Sequence, residues 1–167
     1  MQRLILMRHA DAERNAPEGG GDRERPLSDR GRAEARAMGR ALSERGFRPD
    51  VAIVSDARRT RETWDEVLEA MGDVDLRLAP VLYNAAADVL RRAVEDAEDD
   101  AACLLILAHN PGVHQLAVEL LIESAASPGV LDKMSGGFPT GAAAVFAVDA
   151  AGRPSYEGWL TPQGLGK

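Results

Sequence analysis

Cysteine is almost absent from this sequence, which has one thiol, Cys103, among 167 residues. A single thiol cannot form a disulfide within the chain, so a small secreted scaffold held together by disulfides is excluded. We expect a cytoplasmic protein, because this cysteine usage is typical of a reducing compartment. Cys103 lies in an apolar run and is interpreted as a buried structural residue.

Long hydrophobic runs and an excess of positive charge are also missing. No apolar run approaches the roughly 20 residues of a membrane span, and the apolar start of the chain is too short for a signal peptide. The net charge of −7 disfavours a nucleic acid or an anionic membrane as a partner held by bulk electrostatics. We therefore expect neither a nucleic acid nor a membrane as a partner. A locally basic pocket that binds one specific anion is still compatible with a net charge of −7.

No internal repeat or linker divides the chain, and its composition is ordinary. Hydrophobic residues make up 45% and charged residues 28% of the sequence, which is typical of a soluble domain with a proper core. We therefore expect a single domain over residues 1–167. The sequence leaves the oligomeric state open, and a monomer is the simplest expectation.

Short apolar runs alternate with segments in which apolar residues recur at helical spacing. Such runs predict buried strands of a parallel sheet with helices on both faces, that is, a three-layer α/β sandwich. The turn at residues 150–152 predicts antiparallel pairing at the sheet edge. Residues 12–25 and 124–139 are expected to be irregular. The predicted strands cover residues 4–8, 51–54, 75–82, 103–108, 142–148 and 155–160, and predicted helices begin near residues 28, 57, 86 and 111.

Charged and polar side chains follow three of the predicted strands. Arg8 and His9 end the first, the arginine-rich turn from Ser55 to Arg61 follows the second, and His109 follows the strand over 103–108. The carboxyl ends of parallel strands share one edge of the sheet, where α/β folds bind ligands. Guanidinium forks match phosphate oxygens, and a neutral imidazole can attack phosphorus. The sequence therefore predicts an anion pocket suited to phosphoryl transfer.

Four segments resemble the motifs of a known family, the histidine phosphatase superfamily, which includes the phosphoglycerate mutases. They are most similar to its small branch, the SixA-type phosphohistidine phosphatases. The segments come in the order of that branch, and the resemblance extends over nearly the whole chain. They are LMRHAD at 6–11, RPLSDRG at 25–31, SDARRTRET at 55–63 and HNPG at 109–112.

The resemblance implies roles for single residues. His9 would be the nucleophile that takes the phosphoryl group, and Arg8, Arg59 and His109 would hold its oxygens. Arg59 is chosen because the family places its arginine four residues before the threonine that matches Thr63. The resemblance implies neither a metal nor another cofactor.

Three further residues are secondary candidates for substrate contact: Arg58, Asn84 and Asp11. Arg58 stands at a family position that is often apolar. Asn84 stands where larger relatives have a glutamate as general acid, and an amide cannot usefully donate that proton. Asp11 is the only nearby carboxyl that the motif supplies. The missing acid favours phosphohistidine, whose ring nitrogen can already be protonated, over phosphate esters. The implied partner is therefore a phosphorylated protein.

Three other functions remain open at this stage. The first is a phosphatase for small phosphate esters at the same site. The second is a metal site built from His9, His109 and Asp11, which two arginines in the same pocket would disfavour by repelling a cation. The third is a module that binds phosphorylated ligands without turnover, although binding alone needs no nucleophile such as His9.

Overall fold

The computed structural model describes residues 1–165. In that part of the chain a six-stranded sheet lies between two layers of helices. The strands are β1 (Arg3–Arg8), β2 (Val51–Val54), β3 (Asp75–Leu78), β4 (Cys103–Ala108), β5 (Ala143–Val148) and β6 (Pro154–Leu160). The helices are α1 (Asp29–Glu44), α2 (Arg58–Leu68), α3 (Ala87–Ala97), α4 (Gly112–Glu123) and α5 (Pro128–Ser135).

The strand order is β3-β2-β4-β1-β5-β6. Strands β1 to β4 pair in parallel, whereas β5 is antiparallel to β1 and to the edge strand β6. The central strand β4 is buried over all six residues, as expected for an apolar run covered on both faces. These pairings confirm the predicted α/β fold with a mostly parallel sheet and an antiparallel edge.

Alternate residues of β1 enter two separate hydrophobic cores, because side chains along a strand alternate between its faces. Leu4 and Leu6 pack with residues of α3 and α4. Ile5 and Met7 pack with residues of α1 and α2 on the other face. The three layers predicted from the sequence are therefore present. Among the described residues, no helix combines the length and the apolar character that crossing a bilayer requires.

Two segments differ from the sequence-based predictions. The expected third strand ends at Leu78, because Pro80 has no N–H for the ladder and begins a 3-10 turn instead. Helix α5 lies within residues that were expected to be irregular, and that expectation was wrong. This helix is only eight residues long and fully buries one of them, Met134, so its apolar periodicity is too short to be recognised.

The loop over residues 12–25 contains two exposed 3-10 turns, Pro17–Gly19 and Asp22–Glu24. It leaves the carboxyl end of β1 and returns to the first turn of α1, where Ser28 accepts a hydrogen bond from Gly31 N–H. The loop therefore borders the sheet edge at which β1, β2 and β4 end.

Candidate active site

Strands β1, β2 and β4 end at the same level, because Arg8 is paired with Ala108 and Val54 with Leu107. His9 and His109 therefore leave neighbouring strands side by side. Their ring centroids are 5.3 Å apart. This is the arrangement expected from the sequence.

His9 is buried, with 8% of its surface exposed. Its Nδ1 atom is 2.8 Å from the carbonyl oxygen of Ala10. A carbonyl can only accept, so Nδ1 holds the proton and Nε2 keeps a lone pair. Burial, together with the nearby charges of Arg59 and Arg8, lowers the pKa of His9 to about 3. The imidazole is therefore neutral, with one nucleophilic nitrogen.

His109 lies between Ser55 and Arg59 and is 2% exposed. Its Nε2 atom is 2.8 Å from Ser55 Oγ, and its Nδ1 atom faces Arg59 Nη2 at 3.4 Å. Burial and the charge of Arg59 lower the pKa of His109 to about 4. A guanidinium can only donate, so Nδ1 presents its lone pair to Arg59 and Nε2–H donates to Ser55.

Arg59 is 3% exposed and lies in the first turn of α2. Its Nη1 atom donates to the backbone oxygen of Asp22 at 2.9 Å, and Nη2 donates to the Asp22 carboxylate at 3.1 Å. Thr63, one turn later, donates to the Arg59 carbonyl and accepts from the N–H of Ala10. The Thr63 hydroxyl therefore links helix α2, which carries Arg59, to Ala10, the residue after His9.

Two buried N–H donors of the site have no acceptor among the described residues: Nε of Arg8 and Nε of Arg59. Arg8 is half-buried, and its Nη1 atom donates to the carbonyl of Phe138 at 3.0 Å. Burial and the charge of Arg59 lower the pKa of Arg8. Buried donors without a partner and two like charges are both unfavourable. A bound oxyanion would relieve both costs.

The three secondary candidates have their contacts elsewhere. Arg58 donates to Glu62 on its own helix at 3.0 Å. The Asp11 carboxylate accepts from Ser28 Oγ at 2.7 Å and pairs with Arg30 at 2.9 Å. Asn84 is exposed, in a left-handed turn with φ of 50°. Their part in substrate contact stays a prediction. Within residues 1–165 no three His, Cys, Asp or Glu side chains are grouped as metal ligands.

Sequence reasoning missed Asp22 and Tyr83. Asp22 lies in the loop over residues 12–25, which was expected to be irregular, yet its carboxylate accepts from the Tyr83 hydroxyl, from Arg25 Nε and from Arg59. The Tyr83 hydrogen bond and these charges lower the pKa of Asp22 to about 2. The rings of Tyr83 and His109 pack edge to face, with centroids 5.6 Å apart. No local pattern in the sequence marks Asp22, because its contacts with Arg59 and Tyr83 join residues 37 and 61 positions apart.

Comparisons with known proteins identify the family of this chain. The model of the histidine phosphatase superfamily (branch 1) matches residues 4–102. An uncharacterized protein of Mycobacterium tuberculosis is 34% identical over 143 residues, which cover 85% of this chain and 87% of that protein. A 2,3-bisphosphoglycerate-dependent phosphoglycerate mutase of Mesorhizobium japonicum is 37% identical over 75 residues, 44% of this chain and 36% of the mutase.

Two solved structures share the whole fold. The SixA protein of Agrobacterium tumefaciens has a TM-score of 0.82 and 27% identity, over 96% of this chain and 99% of that chain. The protein histidine phosphatase SixA complexed with tungstate has a TM-score of 0.79 and 25% identity, over 98% of this chain and 99% of that chain. With the family model matching more than half of its length, this chain belongs to the histidine phosphatase superfamily, in its branch 1.

Proposed function

We propose that the protein is a phosphatase that transfers a phosphoryl group from a protein phosphohistidine to His9 and then to water. The observation that best supports this function is the neutral His9, with a free Nε2 lone pair, beside two arginines whose buried Nε–H groups have no acceptor within residues 1–165. Two guanidinium groups that still have N–H donors to offer, next to a nucleophilic ring nitrogen, suit a phosphoryl group.

The first chemical step joins Nε2 of His9 to phosphorus. The bond from phosphorus to the leaving atom breaks, and its electron pair stays on that atom. In the second step water attacks phosphorus, the electron pair of the P–N bond returns to Nε2, and the proton from water passes to solvent. Arg8 and Arg59 stabilise the charge on the equatorial oxygens in both steps.

His109 can support these steps through its contact with Ser55. A serine hydroxyl either accepts or donates. Here the hydroxyl accepts from Nε2–H, which leaves the Nδ1 lone pair facing Arg59 Nη2, so that the neutral His109 ring helps to position the guanidinium that would hold the phosphoryl oxygens.

Phosphohistidine is the preferred substrate because Asp22, Asp11 and Asn84 are all poor general acids for an ester leaving group. Asp22 is ionised, Asp11 is engaged by Ser28 and Arg30, and Asn84 is an exposed amide. An alkoxide leaving group needs a proton from such an acid, whereas a protonated imidazole leaves as a neutral ring. The related SixA was solved with tungstate, an oxyanion like phosphate, which supports the same use of this pocket.

Hydrolysis of small phosphate esters is the second candidate function. The similarity to a phosphoglycerate mutase favours it, although the match covers only part of that enzyme. We propose the cytoplasm as the compartment of this protein, because a single cysteine is typical of a reducing environment.

One experiment separates the two functions. The purified protein is assayed side by side on a phosphohistidine protein, a phosphoserine peptide and sugar phosphates, with kcat/KM determined for each. We expect the highest kcat/KM with the phosphohistidine protein. A higher value with a sugar phosphate would assign the site to small esters, and no turnover of any substrate would overturn the phosphatase function.

A further inference from the structure

We propose that Asp22 selects the leaving group, because its carboxylate at the rim of the site favours the imidazole of phosphohistidine and disfavours the oxygen of a phosphate ester. This inference rests on the proposed function. It assigns a specificity role to a residue outside the four that hold or accept the phosphoryl group.

The position of Asp22 supports this role. Its side chain is 47% exposed, whereas the Arg59 side chain that it contacts is 4% exposed. Asp22 therefore lies between solvent and the arginine that would hold the phosphoryl oxygens. In phosphoryl transfer the attacking and leaving atoms lie roughly in line on opposite sides of phosphorus. Because His9 is 8% exposed and the Asp22 side chain is 47% exposed, a leaving group opposite His9 would lie on the solvent side of the site, where Asp22 is.

The charge of Asp22 is fixed by its surroundings. Tyr83, Arg25 and Arg59 all donate to its carboxylate, and they hold its pKa at about 2. An ionised carboxylate accepts hydrogen bonds and cannot donate one. Next to an ester it would repel the negative charge that develops on the leaving oxygen. Next to phosphohistidine it can accept the N–H of the leaving ring and offset the positive charge of that ring.

The transfer step is balanced without a proton from Asp22. The substrate imidazole, protonated on its distal nitrogen, loses its phosphoryl group to Nε2 of His9. The electron pair of the broken P–N bond stays on the ring nitrogen, so the ring departs neutral with its N–H still in place. Throughout this step Asp22 accepts a hydrogen bond from that N–H.

Asp22 also holds Arg59, so a purely structural role must be distinguished from a specificity role. The Asp22→Asn variant makes this distinction, because the amide oxygen can still accept from Arg59 and Tyr83 while the negative charge is removed. Loss of Arg59 positioning would lower kcat/KM for every phosphoryl substrate alike. Loss of the negative charge of Asp22 would instead change the ratio of kcat/KM between phosphohistidine and phosphoserine substrates.

The test measures kcat/KM of wild type and Asp22→Asn on a peptide with Nε2-phosphohistidine and on the matched phosphoserine peptide. We expect the phosphohistidine value to fall about tenfold to a hundredfold, the range for a hydrogen bond to a charged group, and the phosphoserine value to hold or rise. Glu24→Gln removes one negative charge from the same 3-10 turn and should leave the ratio unchanged.

Each contrary outcome has a distinct meaning. A wild type that does not hydrolyse the phosphohistidine peptide would overturn the proposed function and, with it, this inference. A wild type that does hydrolyse it, combined with equal losses on both peptides in Asp22→Asn, would overturn this inference alone and make Asp22 a positioning residue for Arg59. The inference would also be wrong if Glu24→Gln changed the ratio of the two kcat/KM values as much as Asp22→Asn does. Any negative charge near the site would then account for the preference.

Discussion

The Nδ1 atom of His9 donates to the carbonyl oxygen of Ala10, the next residue in the chain, across 2.8 Å. This contact decides which nitrogen of the ring can react, because it holds the proton on Nδ1. The N–H of Ala10 is in turn bound by Thr63 Oγ1 at 3.0 Å. The tautomer and the orientation of His9 therefore depend on one short piece of backbone and one hydroxyl of α2.

We predict that His9→Ala abolishes turnover, because its Nε2 lone pair is the group we assign to accept the phosphoryl. Brief reaction with 32P-labelled substrate, followed by denaturation in base, should leave acid-labile label on wild type and none on the variant. His114→Ala is the matched control, since His114 Nε2 is bound to the Met134 carbonyl at 2.7 Å, and it should be labelled like wild type. Label on His9→Ala would move the nucleophile to another residue.

Replacement by lysine should affect kcat/KM differently at Arg59 and at Arg58, the two neighbouring arginines at the start of α2. Arg59→Lys keeps the charge but loses the planar fork that reaches Asp22 and His109 together, so we expect kcat/KM to fall about 10²–10³-fold. Arg58→Lys affects an ion pair with Glu62 and should change kcat/KM by about twofold or less. Steady-state kinetics with kcat and KM determined separately checks both. Similar losses in the two variants would contradict our choice of Arg59.

The sequence predicted those features that depend on local order along the chain. Strand ends followed by Arg8, His9 and His109 could be recognised, since a parallel sheet brings such ends to one edge. Asp22 could not be recognised in this way. Its hydrogen bond to Arg59 joins residues 37 positions apart, and its hydrogen bond to Tyr83 joins residues 61 positions apart. Such contacts depend on how a loop folds over the finished sheet, and no spacing rule encodes that.

The stability of the protein should depend on pH through its two buried histidines. Burial lowers the folded-state pKa of His9 to about 3 and of His109 to about 4, from an ordinary value of 6.5. Below pH 6.5 the unfolded chain therefore binds protons that the folded chain does not, and the free energy of unfolding falls as the pH falls. Above pH 6.5 this contribution is fully present. The loss can reach about 1.4 kcal/mol per pH unit for each histidine.

Urea denaturation at pH 7.5, 6.0 and 5.0 measures this loss. His109→Gln removes one of the two groups, so its stability should fall less steeply over the same interval than that of wild type. All three pH values lie above the ordinary carboxylate pKa values, which keeps acidic side chains from dominating the slope. Equal slopes for the two proteins would show that His109 is not held neutral in the folded state.

The last prediction concerns Gly31, the glycine that ends the RPLSDRG motif. A Cβ atom added there would lie 2.0 Å from the carbonyl oxygen of Asp11, two residues after His9. That oxygen accepts from the backbone N–H of Ser28 at 3.0 Å and is held by the start of α1. Gly31→Ala must therefore displace the backbone that leads away from His9. We expect a loss of about 1–3 kcal/mol in the free energy of unfolding, as for other overpacked sites.

Gly129→Ala is the matched control, because a Cβ atom at this helical position in α5 meets nothing within 4 Å. Alanine is the better helix former there, so stability should be unchanged or rise by up to about 1 kcal/mol. Gly31→Ala should also lower kcat, since a shift of Asp11 is passed to Ala10 and hence to the hydrogen bond that fixes His9. Thermal and urea denaturation, with kcat at saturating substrate, test both effects. A Gly31→Ala protein with wild-type stability and kcat would show that this loop adjusts freely and that Gly31 does not position His9.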